Sequence, residues 1–262
     1  MSKAFQVPPA VLETLSPKSR SCIENLGVHQ PGEIDISSSA VLAAVLVLLY
    51  EKSDELRVLL TTRSKLLRAH PGETALPGGK FREANEEVGL PRRSPSIHTV
   101  SVLRPFLSNR KVVVRPVIAL LDDLSLLDNL KANEAEVAHI FDHPLEAMLD
   151  PTIALGEPLV EKGRRTGLTK TSFMSTASPI KGLTAEILMT VAEVAYARPP
   201  TFERYAPGQM TDFTAVLRAL EQAEQGGQLH ASGTATPIGV ATNVSHGAPD
   251  LARTSPVSSD YV

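Results

Sequence analysis

The sequence predicts one α/β domain, because β-rich apolar runs alternate along the chain with segments of helical spacing. Hydrophobic residues make up 42% and charged residues 21% of the 262 positions, as in ordinary globular proteins. A chain of this length buries one sizeable core with some length left over. We expect the domain to cover residues 36–222, between an N-terminal extension (1–35) and a Gly/Ser/Thr-rich, disordered tail (223–262).

The first half of the predicted domain contains a hairpin, a loop and a short helix. Residues 40–50 and 56–62 are β-rich and are separated by a polar turn. Residues 66–80 include two prolines and three glycines, which predicts a loop. Residues 81–88 predict a short helix that Gly89 ends.

The second half predicts two strands, at 97–103 and 112–121, and three helices. The second strand is apolar enough to be central, and its Pro116 indicates an edge or a bulge. Helices are expected at 134–149, 183–197 and near 211–224. In the first helix, apolar residues with i, i+3 and i+4 spacing could share a face, with a break at Pro144: Val137, Ile140, Phe141, Leu145 and Met148.

Charge and composition exclude several classes of partner. The formal net charge is −3, so no global basic field favours nucleic acid, and aromatic residues are only 4% with no Trp for base stacking. The most apolar run, residues 40–50, is well short of the roughly 20 residues that span a bilayer. We therefore expect a small-molecule partner, no nucleic acid and no membrane span.

The single cysteine, Cys22, cannot form an internal disulfide, which fits a reducing compartment. A buried structural thiol is the favoured interpretation over a nucleophile, since no catalytic signature surrounds it. No secretory signal is readable at the N-terminus, and the last three residues are not a peroxisomal Ser-Lys-Leu-type address. The expectation is an intracellular protein, cytoplasmic or in a peroxisome or mitochondrion.

An acidic cluster occupies the predicted helix at residues 81–88. Glu83, Glu86 and Glu87 stand at i, i+3 and i+4, on one helical face. A hard cation such as Mg²⁺ or Mn²⁺ would neutralise their repulsion. Arg82 lies four positions before Glu86 and could pair with it. Alone, the cluster would favour a solvated acidic face.

A glycine turn directly before this helix changes that balance. In Pro77-Gly78-Gly79-Lys80, backbone amides can approach phosphate oxygens close to a helix N-terminus. A glycine turn, a basic residue and clustered carboxylates together suit a metal-bound diphosphate, in which cations bridge phosphate oxygens and activate water.

The motif R-E-A-x-E-E-V-G-L resembles the second half of the Nudix box, G-x5-E-x7-R-E-U-x-E-E-x-G-U with U aliphatic. Upstream, L-L-T-x-R-S-x-x-L-R-x-H-x-G followed by P-G-G-K resembles the coenzyme A diphosphatase branch of the Nudix hydrolases. Weaker likeness at 133–145 and 182–185 extends the resemblance to residues 39–202. It implies a Nudix-type α/β/α sandwich with a mixed sheet. It also implies metal-dependent cleavage of coenzyme A or acyl-coenzyme A to 3′,5′-ADP and (acyl-)4′-phosphopantetheine.

The box of this chain is shortened. In the family the box arginine follows the box glycine by fourteen positions, whereas Arg82 follows Gly79 by three. About eleven residues, including the first box glutamate, have no counterpart. A skipped exon or a mispredicted gene model would explain the gap, and so would a diverged, inactive paralogue. The clean match on both flanks favours a recent deletion over slow decay. Two alternatives therefore stay open: hydrolysis of another nucleoside diphosphate derivative, and a catalytically inactive Nudix-fold binding module.

The resemblance also implies roles for individual residues. Glu83, Glu86 and Glu87 would be metal ligands, and Glu83, Glu86 and Arg82 would form the catalytic group. The substrate's phosphates would contact a set of basic and glycine residues: Arg63, Arg68, His70, Gly78, Gly79 and Lys80.

Four candidate residues have alternative interpretations. Arg63 and Arg68 could instead form surface salt bridges, and His70 could be a structural loop histidine. Glu136 is a possible additional acid from across the cleft, or a carboxylate at the start of a helix, where the macrodipole favours it.

Overall fold

The computed structural model describes residues 7–30, 42–78, 81–91, 93–108, 112–150, 152, 159–162 and 169–205. The helices are α1 (Pro9–Thr14), α2 (Pro17–Val28), α3 (Phe81–Val88), α4 (Ser125–Asp128) and α5 (Gly182–Tyr196). The strands are β1 (Leu42–Lys52), β2 (Glu55–Arg63), β3 (Thr74–Ala75), β4 (Ile97–Val102), β5 (Phe106–Leu107), β6 (Val113–Leu121), β7 (Val137–Pro144), β8 (Leu159–Lys162) and β9 (Thr169–Ser172).

The main sheet is mixed and has the order β3-β2-β1-β6-β4, with β5 added to β6 and β7 added to β2. Strands β1 and β6 run parallel, and the other pairs are antiparallel. Strands β8 and β9 form a separate hairpin. The mixed α/β sheet that the sequence predicts is confirmed.

The predicted hairpin is formed by β1 and β2, which join Lys52 to Glu55 through a two-residue turn. Ser53 and Asp54 both have positive φ, 55° and 60°, as a type I′ turn requires. Residues 46–50 of β1 are all buried, which explains why this run is apolar without alternation.

Helices cover both faces of the sheet. One core cluster joins Val47 and Leu49 of β1 to residues of α2 and α5. The other joins Leu46, Leu48 and Tyr50 of the same strand to the α3 face, including Ala84 and Val88. Alternate residues of one strand thus serve two cores, and the predicted α/β/α sandwich is confirmed.

The N-terminal helices are part of this packing. Cys22, Ile23 and Leu26 of α2 are buried in the core shared with α5. Burial raises the pKa of the Cys22 thiol to about 11, as expected for a structural cysteine. Asn25 Nδ2 also donates to the Ala195 carbonyl at 2.8 Å. Helix α2 therefore packs against α5, within the residues that the sequence analysis places in the N-terminal extension.

The predicted helix at 134–149 is wrong: residues 137–144 form β7, and a short 3-10 turn, Glu146–Met148, follows. Ile140 packs against the α3-side cluster, and its neighbour Phe141 packs against the α5-side cluster. Neighbouring side chains of β7 thus point to opposite faces of the sheet, as in a strand. β7 pairs with the edge of β2 that β1 and β3 do not use, and this tertiary pairing overrides the helical spacing of the sequence. Pro144 ends the strand instead of breaking a helix.

The other strand predictions are confirmed with small shifts. β6 lies between β1 and β4 and is central, as predicted. Pro116 falls between the residues that pair with β4 and those that pair with β5, where its missing N–H interrupts no ladder. Its carbonyl accepts the Leu103 N–H at 3.0 Å.

Helix α5 confirms the prediction at 183–197, and Ala197 ends it in the left-handed region at φ 50°. The predicted helix near 211–224 and the tail lie outside the described residues. Within the described part of the chain, no helix has the length and apolar character that crossing a bilayer requires.

Candidate active site

The glycine turn enters the sheet through a split between β1 and β2. These strands pair only near their turn, from Leu49 opposite Val58 to Lys52 opposite Glu55. Farther along, β3 pairs with β2, and the Leu46 N–H donates to the Pro77 carbonyl at 3.2 Å. Gly78 forms an isolated bridge to Val45. Residues 74–78, the crossing segment, therefore pass from β2 to β1.

Helix α3 follows the crossing segment and has only two turns, which is too short to be stable alone. Ala84 and Val88 are fully buried. Its end is held by the loop at 131–133: Lys131 N–H donates to the Val88 carbonyl at 3.1 Å, and Asn133 N–H donates to the Glu87 carbonyl at 2.9 Å. Gly89 takes a positive φ of 77° directly after the helix. Packing and these caps fix α3.

Glu87 connects the helix to the crossing segment. Its Oε2 accepts the Gly78 N–H at 2.8 Å. A Cβ added to Gly78 would lie 2.5 Å from Oε1 of the same carboxylate. The carboxylate thus lies directly against the glycine backbone, and this contact needs a residue without a side chain.

The other acidic residues of α3 differ in position. The Glu86 side chain is exposed, whereas Glu87 is half-buried. Of Arg82 and Glu83, only the backbone lies within the described structure, as part of α3; Gly79 and Lys80 lie outside it. Among the described side chains, no three His, Cys, Asp or Glu groups converge as a complete metal cluster.

Arg63 ends β2 and begins the loop of residues 64–72. Its N–H donates to the Glu73 carbonyl at 2.9 Å, and its carbonyl accepts the Gly72 N–H at 3.1 Å, which closes the loop at its base. The Arg63 side chain is half-buried, and its Nε has no hydrogen-bond partner among the described groups. A buried cationic donor of this kind is suited to an anion.

The two other basic candidates lie on that loop and are exposed. His70 Nδ1 contacts Glu73 Oε2 at 2.8 Å, and Lys181 Nζ lies 3.5 Å from the other oxygen of Glu73. Arg68 and His70 have no described contact with α3. The described contact of the His70 side chain is thus with Glu73, at the end of the same loop.

Glu136 precedes β7 and is exposed. Its carbonyl accepts the Ser64 N–H at 2.8 Å, which places the 133–136 turn between α3 and the end of β2. The alternative of a carboxylate at a helix start is wrong, because the helix predicted there is strand β7. The structure therefore brings together α3, the 131–136 loop, and the loop base at Arg63.

A buried group of hydroxyls lies beside β3, and the sequence motifs do not indicate it. Thr74 Oγ1 contacts the Ser178 carbonyl at 2.7 Å and Ser178 Oγ at 2.6 Å, and Thr62 Oγ1 lies 2.8 Å from Ser178 Oγ. We call Thr62, Thr74 and Ser178 the hydroxyl cluster. It attaches the chain before α5 to β2 and to β3, at the first residue of the crossing segment.

A separate polar cluster lies near the start of β2, far from Arg63. Tyr50 Oη donates to Asp142 Oδ2 at 2.7 Å, and Arg57 Nη2 lies 2.7 Å from Oδ1. Burial acts to raise the pKa of Asp142, but the hydrogen bonds from Arg57 and Tyr50 hold it below its usual value. Because Arg57 and Tyr50 donate to both oxygens of Asp142, we interpret this cluster as structural.

Sequence relatives identify the family. The chain is 39% identical over 181 residues to Nudix hydrolase 15, mitochondrial, of Arabidopsis thaliana, covering 63% of this chain and 62% of the relative. It is equally similar to Nudix hydrolase 22, chloroplastic, of the same plant, covering 59% of that protein. The chain belongs to the Nudix hydrolase family. It spans about three fifths of the length of these two relatives.

A further Nudix relative is the peroxisomal coenzyme A diphosphatase NUDT7 of Mus musculus, with 29% identity over 61% of this chain and 72% of that protein. No family model matches the chain. A solved MutT/nudix family protein from Enterococcus faecalis has 18% identity, covers 61% of this chain and 62% of its own, and has a TM-score of 0.36. At that score the overlay adds nothing to the family assignment.

Proposed function

We propose that this Nudix chain is a metal-dependent diphosphatase that cleaves coenzyme A or acyl-coenzyme A. The observation that supports this most is the direct contact between Gly78 of the glycine turn and Glu87 of the acidic helix. This contact forms although the box between the two residues is shortened. The branch signature at residues 59–80 adds the substrate class, and the relative named as a coenzyme A diphosphatase agrees with it.

A divalent ion fits the donor chemistry of α3. Carboxylate oxygens are the ligands that Mg²⁺ and Mn²⁺ prefer, and the Glu87 carboxylate of α3 lies against Gly78 of the glycine turn. Glu83, Glu86 and Glu87 would hold the ion, with Arg82 supporting the cluster. When bound, the ion supplies charge neutralisation at the diphosphate and a more acidic water.

The remaining candidates would bind and orient the substrate. Coenzyme A carries a 3′-phosphate besides its diphosphate, and Arg63 offers a buried Nε without a described partner. Exposed Arg68 adds a second guanidinium on the same loop. Gly78, Gly79 and Lys80 would approach the diphosphate, and exposed Glu136 would be an additional acid. This arrangement predicts preference for ligands with a 3′-phosphate.

The direct test is product analysis with the purified full chain. Incubation with coenzyme A and Mg²⁺ or Mn²⁺ should release 3′,5′-ADP and 4′-phosphopantetheine, separated by chromatography. Glu86→Gln is the matched control, because Glu86 is exposed and its substitution should leave the fold intact. Product formation no higher than in that control would reject the proposed activity. A panel including dephospho-coenzyme A and other nucleoside diphosphate derivatives tests the substrate class.

A second candidate is an inactive Nudix-fold binding module. Arg82 follows Gly79 by three residues where the family pattern has fourteen, so the first box glutamate is missing. Calorimetry with Mn²⁺ and coenzyme A separates the two candidates, since binding without turnover favours the module.

The relatives have mitochondrial, chloroplastic and peroxisomal names. We propose an intracellular location for this chain too, which imaging of a tagged full chain would test.

A further inference from the structure

We propose that Glu87 is a positioning residue, which holds the crossing segment in the split between β1 and β2 through the Gly78 amide. The proposal deepens the function above and rests on it only where activity is concerned. In the metal-ligand interpretation, Glu87 acts on an ion. Here it acts on the protein's own backbone, and this role exists before any ligand binds.

The first support is where the crossing segment lies. Strands β1 and β2 separate beyond the pair Leu49 and Val58, and the segment fills the space between them. Among the described contacts, its attachment to β1 consists of one hydrogen bond from the Leu46 N–H to the Pro77 carbonyl and the bridge at Gly78. Because Thr74 already holds the β2 end of the segment, a further contact is needed most at Gly78, at the β1 end.

The second support is the geometry at Gly78. Its N–H is directed at Glu87 Oε2 at 2.8 Å, a charge-assisted hydrogen bond across nine residues. Oε1 lies so close that a Cβ would meet it at 2.5 Å. One oxygen therefore accepts the Gly78 N–H, and the other occupies the space that a side chain at residue 78 would need. Since φ at Gly78 is not positive, the glycine is needed there for this close approach and not for backbone conformation.

The third support is that Glu87 is itself fixed. Its carbonyl accepts the Asn133 N–H at 2.9 Å, and neighbouring Val88 is fully buried. A side chain on a fixed backbone transmits the position of α3 to the glycine turn. Glu86, one residue earlier, is exposed and provides a matched control on the same helix.

The test measures hydrogen exchange of backbone amides in the metal-free full chain by NMR, so it does not depend on activity. In Glu87→Ala, the Gly78 amide should exchange about tenfold or more faster, because it loses a charge-assisted acceptor. Glu87→Gln retains an amide oxygen at that place and should keep most of the protection. Glu86→Ala should leave Gly78 unchanged. Unchanged exchange in Glu87→Ala, or equal acceleration in Glu86→Ala, would overturn the proposal.

Two further variants keep the test decisive if Glu87→Ala does not fold. Glu87→Gln alone then decides, since loss of Gly78 protection in a folded Glu87→Gln protein contradicts the proposal. Gly78→Ala should expel the carboxylate and accelerate exchange at Leu46, the β1 amide that donates to the Pro77 carbonyl of the segment. If the two groups act together, Gly78→Ala should accelerate exchange at Leu46 less in a Glu87→Gln background than in the wild type. Equal acceleration in the two backgrounds contradicts the proposal.

Kinetics separate positioning from ion binding in an active protein. If Glu87 positions the turn as well as holding the ion, Glu87→Ala should raise KM for coenzyme A about tenfold more than Glu87→Gln does. If Glu87 acts only through the ion, the two variants change KM equally, and the positioning role is rejected. Should the chain prove inactive, the exchange result still stands or fails independently of the proposed function.

Discussion

Replacing Thr74 by valine removes one hydroxyl of the hydroxyl cluster while preserving the shape of the side chain. Thr74 is 5% and Ser178 8% exposed, so water cannot replace the lost contacts easily. The distances allow one consistent donor chain: Thr62 donates to Ser178 Oγ, Ser178 donates to Thr74 Oγ1, and Thr74 donates to the Ser178 carbonyl. Each hydroxyl then uses its single proton, and the cluster is fully satisfied.

The magnitude follows from the two contacts of Thr74 Oγ1. At about 1 kcal/mol for each hydrogen bond, Thr74→Val should lower the free energy of unfolding by about 2 kcal/mol. For a domain of this size that corresponds to roughly 4–8 °C in Tm. Because the chain has no tryptophan, urea unfolding is best followed by far-ultraviolet circular dichroism.

Thr171 provides the matched control for the same substitution. It is 6% exposed, and its hydroxyl has no partner among the described groups. Thr171→Val therefore removes a buried, unsatisfied oxygen and should be neutral or stabilising by up to about 1 kcal/mol. If Thr74→Val and Thr171→Val change stability by the same amount, within about 0.5 kcal/mol, the hydroxyl cluster does not contribute as described.

Two further predictions concern buried charged and titratable groups. Burial lowers the pKa of His143 to about 4, whereas the unfolded chain protonates it near 6.5, so its contribution to stability is present above pH 6.5 and is lost as pH falls to about 4. Between pH 6.5 and pH 4, the free energy of unfolding of the wild type should fall by up to about 3 kcal/mol more than that of His143→Phe. A substitution of exposed His139 is the control and should behave like the wild type. Equal falls in the wild type and His143→Phe would contradict this. Arg204 is buried and pairs with Glu186 and Glu193. Arg204→Met should lower the free energy of unfolding in urea by about 2–3 kcal/mol, and Arg204→Lys should lower it less. A decrease below about 0.5 kcal/mol in Arg204→Met would refute the pairing.

Local sequence signals were sufficient for the elements on either side of the site. The polar turn between two apolar runs predicted the β1–β2 hairpin, and Gly89 predicted the end of α3. These features depend on neighbours in sequence, such as the positive φ that Gly89 supplies. The prediction failed at β7, where Ile140 and Phe141 face opposite sides of the sheet. The apolar pattern of this segment fits a helix as well as a strand, and only pairing with the free edge of β2 selects the strand.

In the candidate site, too, the sequence predicted some contacts and not others. The family motif predicted that the glycine turn and the carboxylates of α3 belong together, and the Gly78–Glu87 contact agrees with it. The motif could not indicate that Asn133 caps Glu87 or that Ser178 bonds Thr74, since those partners are distant in sequence. Such contacts depend on how strands and loops pair in three dimensions, and single-sequence patterns do not encode that pairing directly.

Calorimetric titration of the purified full chain with Mn²⁺ is the most direct test of a metal site on α3. We predict saturable binding of the ion, weakened at least tenfold in Glu86→Gln, with the metal-free variant keeping the circular dichroism spectrum of the wild type. Heat of dilution alone in the wild type, or identical affinity in the variant, would contradict the assignment of these carboxylates to a divalent ion.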